Sequence, residues 1–181
     1  MKIRKIVFLI FSSALFIFLT QKVFMFQVYG PSMEPTLNTN DFLLFENFSI
    51  NNFSGNIILN RGDIIAFHNP RDKKDLKMIK RTIGLPRETV IVATNSVKII
   101  HLDNTEEIFD KNSDLEFGEK INGKNSTTIL GKEDYFVLGD NRLLSEDSRE
   151  FGTVQPSEML GKYLLNLSTL PFMKYLQNVL H

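Results

Sequence analysis

Ser32 is the first residue along the chain whose type and setting could supply a nucleophile. It lies in "YGPSMEPTL", a few residues after a strongly apolar N-terminal stretch. A serine beside proline is typical of a turn, so Ser32 alone is weak evidence for catalysis. The G-x-S-x-G elbow is absent because Glu34 replaces its second glycine, and no serine is followed by lysine three residues later. A nucleophilic Ser32 would therefore need a base from another segment.

The best candidate for that base is Lys80, within "KMIKRTIGLPRETV". If this segment is a strand, alternation places Met78, Lys80 and Thr82 on one face and Ile79 on the other. Desolvation in such apolar surroundings disfavours an ammonium group and lowers its pKa. A neutral amine can then accept the proton of a serine hydroxyl as a general base. The alternative is a lysine on the solvated face of an edge strand.

A third segment, "LGDNRLLSEDSREFGTV", follows the apolar stretch "DYFVL". Its density of small polar and charged groups predicts a hydrogen-bonded scaffold around a tight turn. The alternative is a solvated surface turn with ordinary ion pairs. The residues of interest here are Gly139, Asp140, Asn141, Arg142, Ser145, Asp147, Ser148 and Arg149.

These three segments come after an N-terminus that has the character of a membrane anchor. Basic residues at the start precede an uncharged run over residues 6–21, and Lys22 can extend to the interface and lengthen the span. The pattern predicts a transmembrane helix over residues 6–25, with residues 1–5 cytoplasmic and the remainder extracytoplasmic. A cleavable signal peptide is the alternative, but no small-residue cleavage site follows the run. Phe24, Met25 and Phe26 are expected to form an apolar rim at the membrane surface.

Residues 26–181 are predicted to form an all-β domain. Short apolar or alternating runs rich in Ile, Val, Phe and Tyr are separated by Gly, Pro, Asn and Asp, as in many-stranded β domains. Residues 94–132 are more polar and predict a hairpin-rich insertion. Residues 170–181 have the spacing of a short amphipathic helix. The overall prediction is a mainly β fold behind one transmembrane helix.

The composition excludes several classes of function. There is no cysteine, so disulfides and cysteine-based sites are absent, and the three histidines form no H-E-x-x-H pair. With 21 basic and 21 acidic residues, no broad attraction for nucleic acid is expected. We therefore expect no metal site, no cofactor and no nucleic-acid partner.

The chain resembles the bacterial type I signal peptidases, which are membrane-anchored Ser/Lys proteases that release exported proteins from leader peptides. The resemblance rests on "GPSMEPTL", "RGDIIAFHNP", "KMIKRTIGLPRETV" and "GDNRLLSEDSREFGTV", in this order behind the predicted anchor. It implies a signal-peptidase-like catalytic domain that cleaves after small-x-small sites such as Ala-X-Ala. The implied partners are preprotein signal peptides and the lipid bilayer. The implied location is the cell membrane, for a monomeric, single-pass protein.

The resemblance also implies roles for individual residues. Ser32 matches the nucleophile and supplies one oxyanion N–H, Lys80 matches the general base, and Ser145 matches the serine that orients the lysine. Some members carry a further oxyanion hydroxyl where this chain has Gly30. The implied scaffold residues are Arg81, Asp140, Asn141, Arg142, Asp147 and Arg149. The implied substrate-pocket residues are Phe26, Val28, Met33, Leu37 and Ile79.

Two departures from the family pattern lie in the sequence blocks that carry the predicted active site. Leu143 and Leu144 replace the frequent Asp-Asn pair, and Arg87 and Glu88 replace the Gly-Asp of the G-L-P-G-D block. Losing that glycine makes a turn with positive φ less favourable. A self-cleaving repressor-type protease is the nearest rival, but the predicted anchor and the lack of a DNA-binding helical domain argue against it. The other alternative is an inactive or specialised membrane-tethered β domain that binds export substrates or assembly partners.

Overall fold

The structure is a computed structural model that describes residue 8 and residues 22–48, 57–72, 76–93, 96–111 and 126–173. Within these ranges the chain forms ten strands in two antiparallel sheets, which confirms the prediction of a mainly β fold. The helical segments between the strands in these ranges are short. The strands are β1 (Val23–Gln27), β2 (Phe42–Asn47), β3 (Ile64–His68), β4 (Lys77–Gly84), β5 (Thr89–Ala93), β6 (Ser96–Ile100), β7 (Glu106–Lys111), β8 (Ser126–Ile129), β9 (Phe136–Leu138) and β10 (Met159–Asn166). The helix α1 spans Ser148–Phe151, and 3₁₀ turns span Pro156–Glu158 and Leu167–Thr169.

The larger sheet has the strand order β1-β2-β10-β3-β4-β9. β3 lies near its centre and reads "IIAFH", an apolar run typical of a strand that is covered on both faces. Ile65 and Phe67 belong to one buried apolar cluster, whereas Ile64 and Ala66 belong to another. The alternation of side chains therefore gives this sheet a core on each side.

The smaller sheet has the strand order β7-β6-β5-β8 and corresponds to the predicted hairpin-rich insertion, with a different start. β5 and β6 alternate between buried and half-buried residues, as expected for a hairpin with one face on a core. Their buried valines pack with Ile83 of β4 and Leu138 of β9. The hairpin-rich unit thus begins at Thr89 rather than at residue 94, and it shares its core with the larger sheet.

The first strand overlaps the predicted anchor. Residues 6–7 and 9–21 of the predicted span 6–25 lie outside the described residues, but Val23, Phe24 and Met25 belong to β1. Within the described parts of the chain, no helix has the length and apolar character needed to cross a membrane. The predicted three-residue rim is also wrong in part, because alternation turns Phe24 and Phe26 onto the ring of Phe45 and leaves Met25 exposed.

The C-terminal prediction is only partly described. Residues 171–173 are helical, and residues 174–181 of the predicted amphipathic segment lie outside the described residues. The 3₁₀ turn Leu167–Thr169 precedes them, and Ser168 in it accepts a hydrogen bond from the backbone N–H of Phe42 at 2.8 Å. This contact attaches the chain after β10 to the start of β2.

The turn between β4 and β5 contains the departure from G-L-P-G-D. Arg87 has a φ of 70°, so the chain keeps the left-handed turn although the glycine is lost. Glu88 is buried and receives hydrogen bonds from Arg61 at 2.7 and 2.9 Å and from the Leu85 N–H at 2.8 Å. Burial raises the pKa of Glu88, but these bonds and that of His101 outweigh it and lower the net pKa.

Replacing Arg87 by glycine should stabilise the protein by about 1 kcal/mol, because glycine has no Cβ penalty in the left-handed region. Arg87 is exposed, so little packing is lost with its side chain. The free energy of unfolding in denaturant would measure the effect. Arg87→Ala is the matched control, since it removes the same charge but keeps Cβ. Equal stability of the two variants would show that the turn is not strained.

Candidate active site

Ser32 is held on a tight turn directly after the edge strand β1. The backbone of Val28 still pairs with Asp41, through an N–H···O bond of 2.9 Å. The chain then folds back, with the Glu34 N–H donating to the Pro31 carbonyl at 3.1 Å. The peptide bond between Glu34 and Pro35 is cis. Ser32 is half-buried on this turn.

Lys80 lies on β4 of the larger sheet, and its side chain contacts Ser32. β4 pairs with β3 on one side and β9 on the other, so the alternative of a solvated edge strand is excluded. Lys80 is opposite Ile65 and is only 3% exposed. Its Nζ lies 2.9 Å from Ser32 Oγ and 3.0 Å from the carbonyl oxygen of Ile79. The predicted nucleophile and base are therefore in hydrogen-bond contact.

Arg81, the next residue along β4, binds the loop that follows β9. Arg81 pairs with Leu138 in the sheet, which brings Asp140 next to its guanidinium. Two hydrogen bonds join the two side chains, at 2.8 and 2.5 Å. The hydrogen bond to Asp140 raises the pKa of Arg81, more than burial lowers it. A bidentate pair of this kind fixes both position and orientation, so it ties the loop to the strand that carries Lys80.

A second ion pair, almost completely buried, holds the other end of this loop. Asp147 accepts from Arg149 through both oxygens at 2.7 Å, and both side chains are essentially inaccessible to water. Asp147 also accepts from the Gly139 N–H at 3.1 Å. Arg149 donates to the Arg142 carbonyl at 2.7 Å, and Arg142 donates to the Gly139 carbonyl at 2.9 Å. These bonds form a closed network across the whole loop, so its shape is strongly specified.

Ser145 is fully buried within this loop. Its hydroxyl lies 3.4 Å from the carbonyl oxygen of Glu146. A Cβ placed on Gly139 would come within 2.1 Å of Ser145 Oγ and within 2.5 Å of the Ser32 carbonyl oxygen. Ser145 and the backbone of Ser32 therefore converge on the same point. Asn141 joins them, since its N–H donates to the Ser32 carbonyl at 3.1 Å.

The sequence predicts Gly139 only as a turn residue. In the structure, glycine is required there because a side chain would collide with Ser145 and Ser32. Its φ is outside the left-handed region, so no turn conformation demands glycine here. The requirement comes from two oxygens, Ser145 Oγ and the Ser32 carbonyl oxygen, that occupy the space a Cβ would need. Such a close approach between distant segments leaves no signal in local sequence beyond the glycine itself.

A cavity of about 800 Å³ opens in front of Ser32 and Lys80. It includes four of the predicted pocket residues: Phe26, Val28, Met33 and Ile79. The prediction for Leu37 is wrong, because that side chain is buried in the core with Leu43 and Phe45 instead of lining the cavity. Apart from Ser32 and Lys80, the lining residues that sequence reasoning did not assign to the pocket are Met25, Gln27, Tyr29, Gly30, Pro31, Leu76, Lys77, Met78, Leu144 and Glu146.

The backbone before Ser32 explains the glycine at position 30. Gly30 has a φ of 82°, and a Cβ there would meet no heavy atom within 4 Å. Conformation and not space therefore favours glycine. In the described part of the chain, no hydrogen bond uses the Ser32 N–H, and Ser32 lines the cavity.

The described residues contain no group of three or more His, Asp or Glu side chains placed to hold a metal ion. Among the polar groups that line the cavity are the hydroxyl of Ser32 and the amine of Lys80, which are in contact. Such a set can carry out nucleophilic chemistry on a carbonyl group, with the amine as the base.

Comparison with known proteins points to one family. The family described as "Signal peptidase, peptidase S26" matches residues 2–167 of the chain. The chain is 35% identical over 156 residues to the signal peptidase I of Bacillus caldolyticus, covering 79% of this chain and 80% of that protein. It is 32% identical over 142 residues to signal peptidase I V of Bacillus subtilis (strain 168), covering 75% and 80%. A solved signal peptidase I from Enterococcus faecalis V583 is 29% identical, with a TM-score of 0.43 and coverage of 60% and 98%.

Proposed function

Given that the chain belongs to the signal peptidase family, peptidase S26, and is a type I signal peptidase, we propose how it acts. The proposal is a Ser/Lys endopeptidase that cleaves leader peptides from exported proteins after small-x-small sites. The observation that carries it is the 2.9 Å contact between Lys80 Nζ and Ser32 Oγ at the base of an open cavity. A nucleophile within hydrogen-bond reach of a base is the geometry that acyl transfer requires.

The proposed reaction passes through an acyl-enzyme. Neutral Lys80 takes the proton from Ser32 Oγ as that oxygen attacks the scissile carbonyl carbon. The resulting ammonium of Lys80 then gives the proton to the leaving amine, and the C–N bond breaks. Neutral again, Lys80 removes a proton from the water that attacks the ester, and it returns this proton to Ser32 Oγ as the C–O bond breaks. The products are the leader peptide carboxylate and the free amino terminus of the mature protein.

The surroundings of Lys80 support this role. At 3% exposure the ammonium form is poorly solvated, which favours the neutral amine that a general base needs. Arg81, the basic residue next to Lys80 in the sequence, forms an ion pair with Asp140. We assign Ser145 the role of orienting the amine, supported by its burial and by its position next to the Ser32 backbone across Gly139. Arg81, Asp140, Arg142, Asp147 and Arg149 are assigned to keeping the loop in place.

The oxyanion of the tetrahedral intermediate is assigned to the Ser32 N–H. Two observations support this: Ser32 lines the cavity, and none of the described residues accepts a hydrogen bond from its N–H. A preorganised donor at the developing charge is commonly worth about 3 kcal/mol. Because residue 30 is glycine, no side-chain hydroxyl is available at that position in this chain.

The proposed substrates are preprotein signal peptides held in a lipid bilayer. The apolar sequence before β1 supports an anchor that ends before Val23, where the strand begins. Such an anchor would keep the cavity close to the membrane and raise the effective concentration of membrane-held leaders. The proposal therefore includes a single-pass protein of the cell membrane with an extracytoplasmic catalytic domain.

Detergent-solubilised protein should cleave a preprotein after a small-x-small motif, and Ser32→Ala should not. The loss follows from removal of the attacking oxygen, and single removal of a serine nucleophile can cost about a millionfold in kcat. Gel analysis with N-terminal sequencing of the product would identify the cleavage site. Thermal unfolding of both proteins is the control, since Ser32 is a half-buried turn residue. If the wild type binds preproteins but never cleaves them, the tethered binding domain becomes the better explanation.

A further inference from the structure

Exposed apolar side chains line the mouth of the cavity, beside the exposed charged residues Lys77 and Glu146. Met25, Tyr29, Leu76 and Leu144 all line it, and each side chain is roughly half or more exposed to solvent. They come from three separate segments: β1 and the turn after it, the start of β4, and the loop after β9. Isolated exposed apolar residues are ordinary on protein surfaces, but several around one concave site indicate a binding surface.

Leu144 is held in position by the backbone of the nucleophile. The Asn141 N–H donates to the Ser32 carbonyl at 3.1 Å, and Asn141 Oδ1 accepts from the Leu144 N–H at 3.2 Å. Two hydrogen bonds therefore set the distance between Leu144 and the reacting residue. Its neighbour Leu143 is similarly exposed but does not line the cavity. Of these two adjacent exposed leucines, only Leu144 lines the cavity.

The alternation of side chains in an extended substrate peptide indicates which substrate residue could contact the mouth of the cavity. In an extended chain, successive side chains point to opposite faces. If the two small residues of a small-x-small site face the cavity floor near Val28, Met33 and Ile79, the side chain of x faces away from that floor. The apolar residues at the mouth are available to cover it.

We infer that Leu144, with Met25 and Leu76, forms a subsite for a large apolar side chain at the middle position of the cleavage motif. This inference rests on the proposed function and names a preference within the same site. Leu144 is then a specificity-determining residue of this chain, at a position where the resemblance led us to expect a polar residue. The x side chain is selected by the apolar surface that it covers.

The test compares two peptides that differ only at x, one with Phe and one with Ser between two alanines. For the active protein, kcat/KM would be measured with each peptide. For the Ser32→Ala variant, Kd would be measured with the same peptides, so that binding is seen without cleavage. Wild-type protein should favour Phe by about tenfold, in the range known for one apolar group in a pocket. Leu144→Asn should reduce this ratio to about threefold or less, whereas Leu143→Asn should keep it.

The two failures are distinguishable. If no protein cleaves any peptide, the proposed function is wrong, and the Kd ratios still decide the subsite. An unchanged Phe preference in Leu144→Asn overturns the subsite, as does an equal loss of preference in both leucine variants. Binding to vesicles of phosphatidylglycerol and phosphatidylethanolamine is the remaining readout. Weaker vesicle binding by Leu144→Asn with an unchanged peptide ratio would assign the leucine to lipid and overturn the subsite.

Discussion

Replacing Lys80 by methionine is expected to lower kcat/KM for preprotein cleavage at least a thousandfold while the protein stays folded. The general base alone contributes about a hundredfold to ten-thousandfold in such reactions, and here it is also the group that donates the proton to the leaving amine. Methionine has a similar length and no charge, and the site is almost closed to water. The substitution removes the donor to the Ile79 carbonyl, so we expect a loss of about 1–3 kcal/mol in stability.

The measurement is single-turnover cleavage over a range of enzyme concentrations, which gives kcat/KM, together with unfolding in denaturant. Lys98→Met is the matched control, because Lys98 is an exposed lysine of the smaller sheet paired with Glu106. An exposed pair of this kind contributes little to stability. Cleavage by Lys80→Met at a rate near that of the control would exclude the Ser32–Lys80 assignment. A loss of activity accompanied by unfolding would instead mean that Lys80 is needed for the fold.

Replacing Gly139 by alanine is expected to reduce kcat about a hundredfold in the folded protein. The new Cβ would stand 2.1 Å from Ser145 Oγ and 2.5 Å from the Ser32 carbonyl oxygen, so both segments must move. A displacement of about 1 Å in a catalytic group is enough to cost this much. Ser32 would be moved through its own backbone, although Gly139 itself touches no substrate. Gly139 is therefore a positioning residue.

Gly161→Ala is the matched control for Gly139→Ala. A Cβ on Gly161 of β10 would lie 2.0 Å from the Glu46 carbonyl oxygen, so this variant also disturbs a close contact. Both variants should lose stability in denaturant. Only Gly139→Ala should lower kcat once the rates are corrected for the folded fraction. Proportional losses of activity and stability in both variants would mean that Gly139 acts on the fold alone.

The sheet elements could be predicted from sequence because their information is local. Alternation within β5 and β6 is visible in the residues themselves, and apolar runs such as that of β3 need no knowledge of the partner strand. The same dependence on local information explains why the sequence predicts the end of an anchor, and not a strand, where β1 lies. Its apolar residues continue the apolar N-terminus, and nothing local distinguishes a strand stacked on Phe45 from the end of an anchor.

Ser32, Lys80 and the polar loop after β9 were recognisable by their sequence blocks, including the Arg81 and Asp140 that join two of those blocks. Their residue types and order are a property of the chain alone. The 2.9 Å contact between Ser32 and Lys80, which are 48 residues apart, required the pairing of β4 between β3 and β9. Sequence also misplaced Leu37, because packing against Leu43 decided its direction. Gly139 and Leu144 acquire their importance only when separate segments approach one another. Such proximity depends on the free energy of packing the whole domain, which no short segment contains.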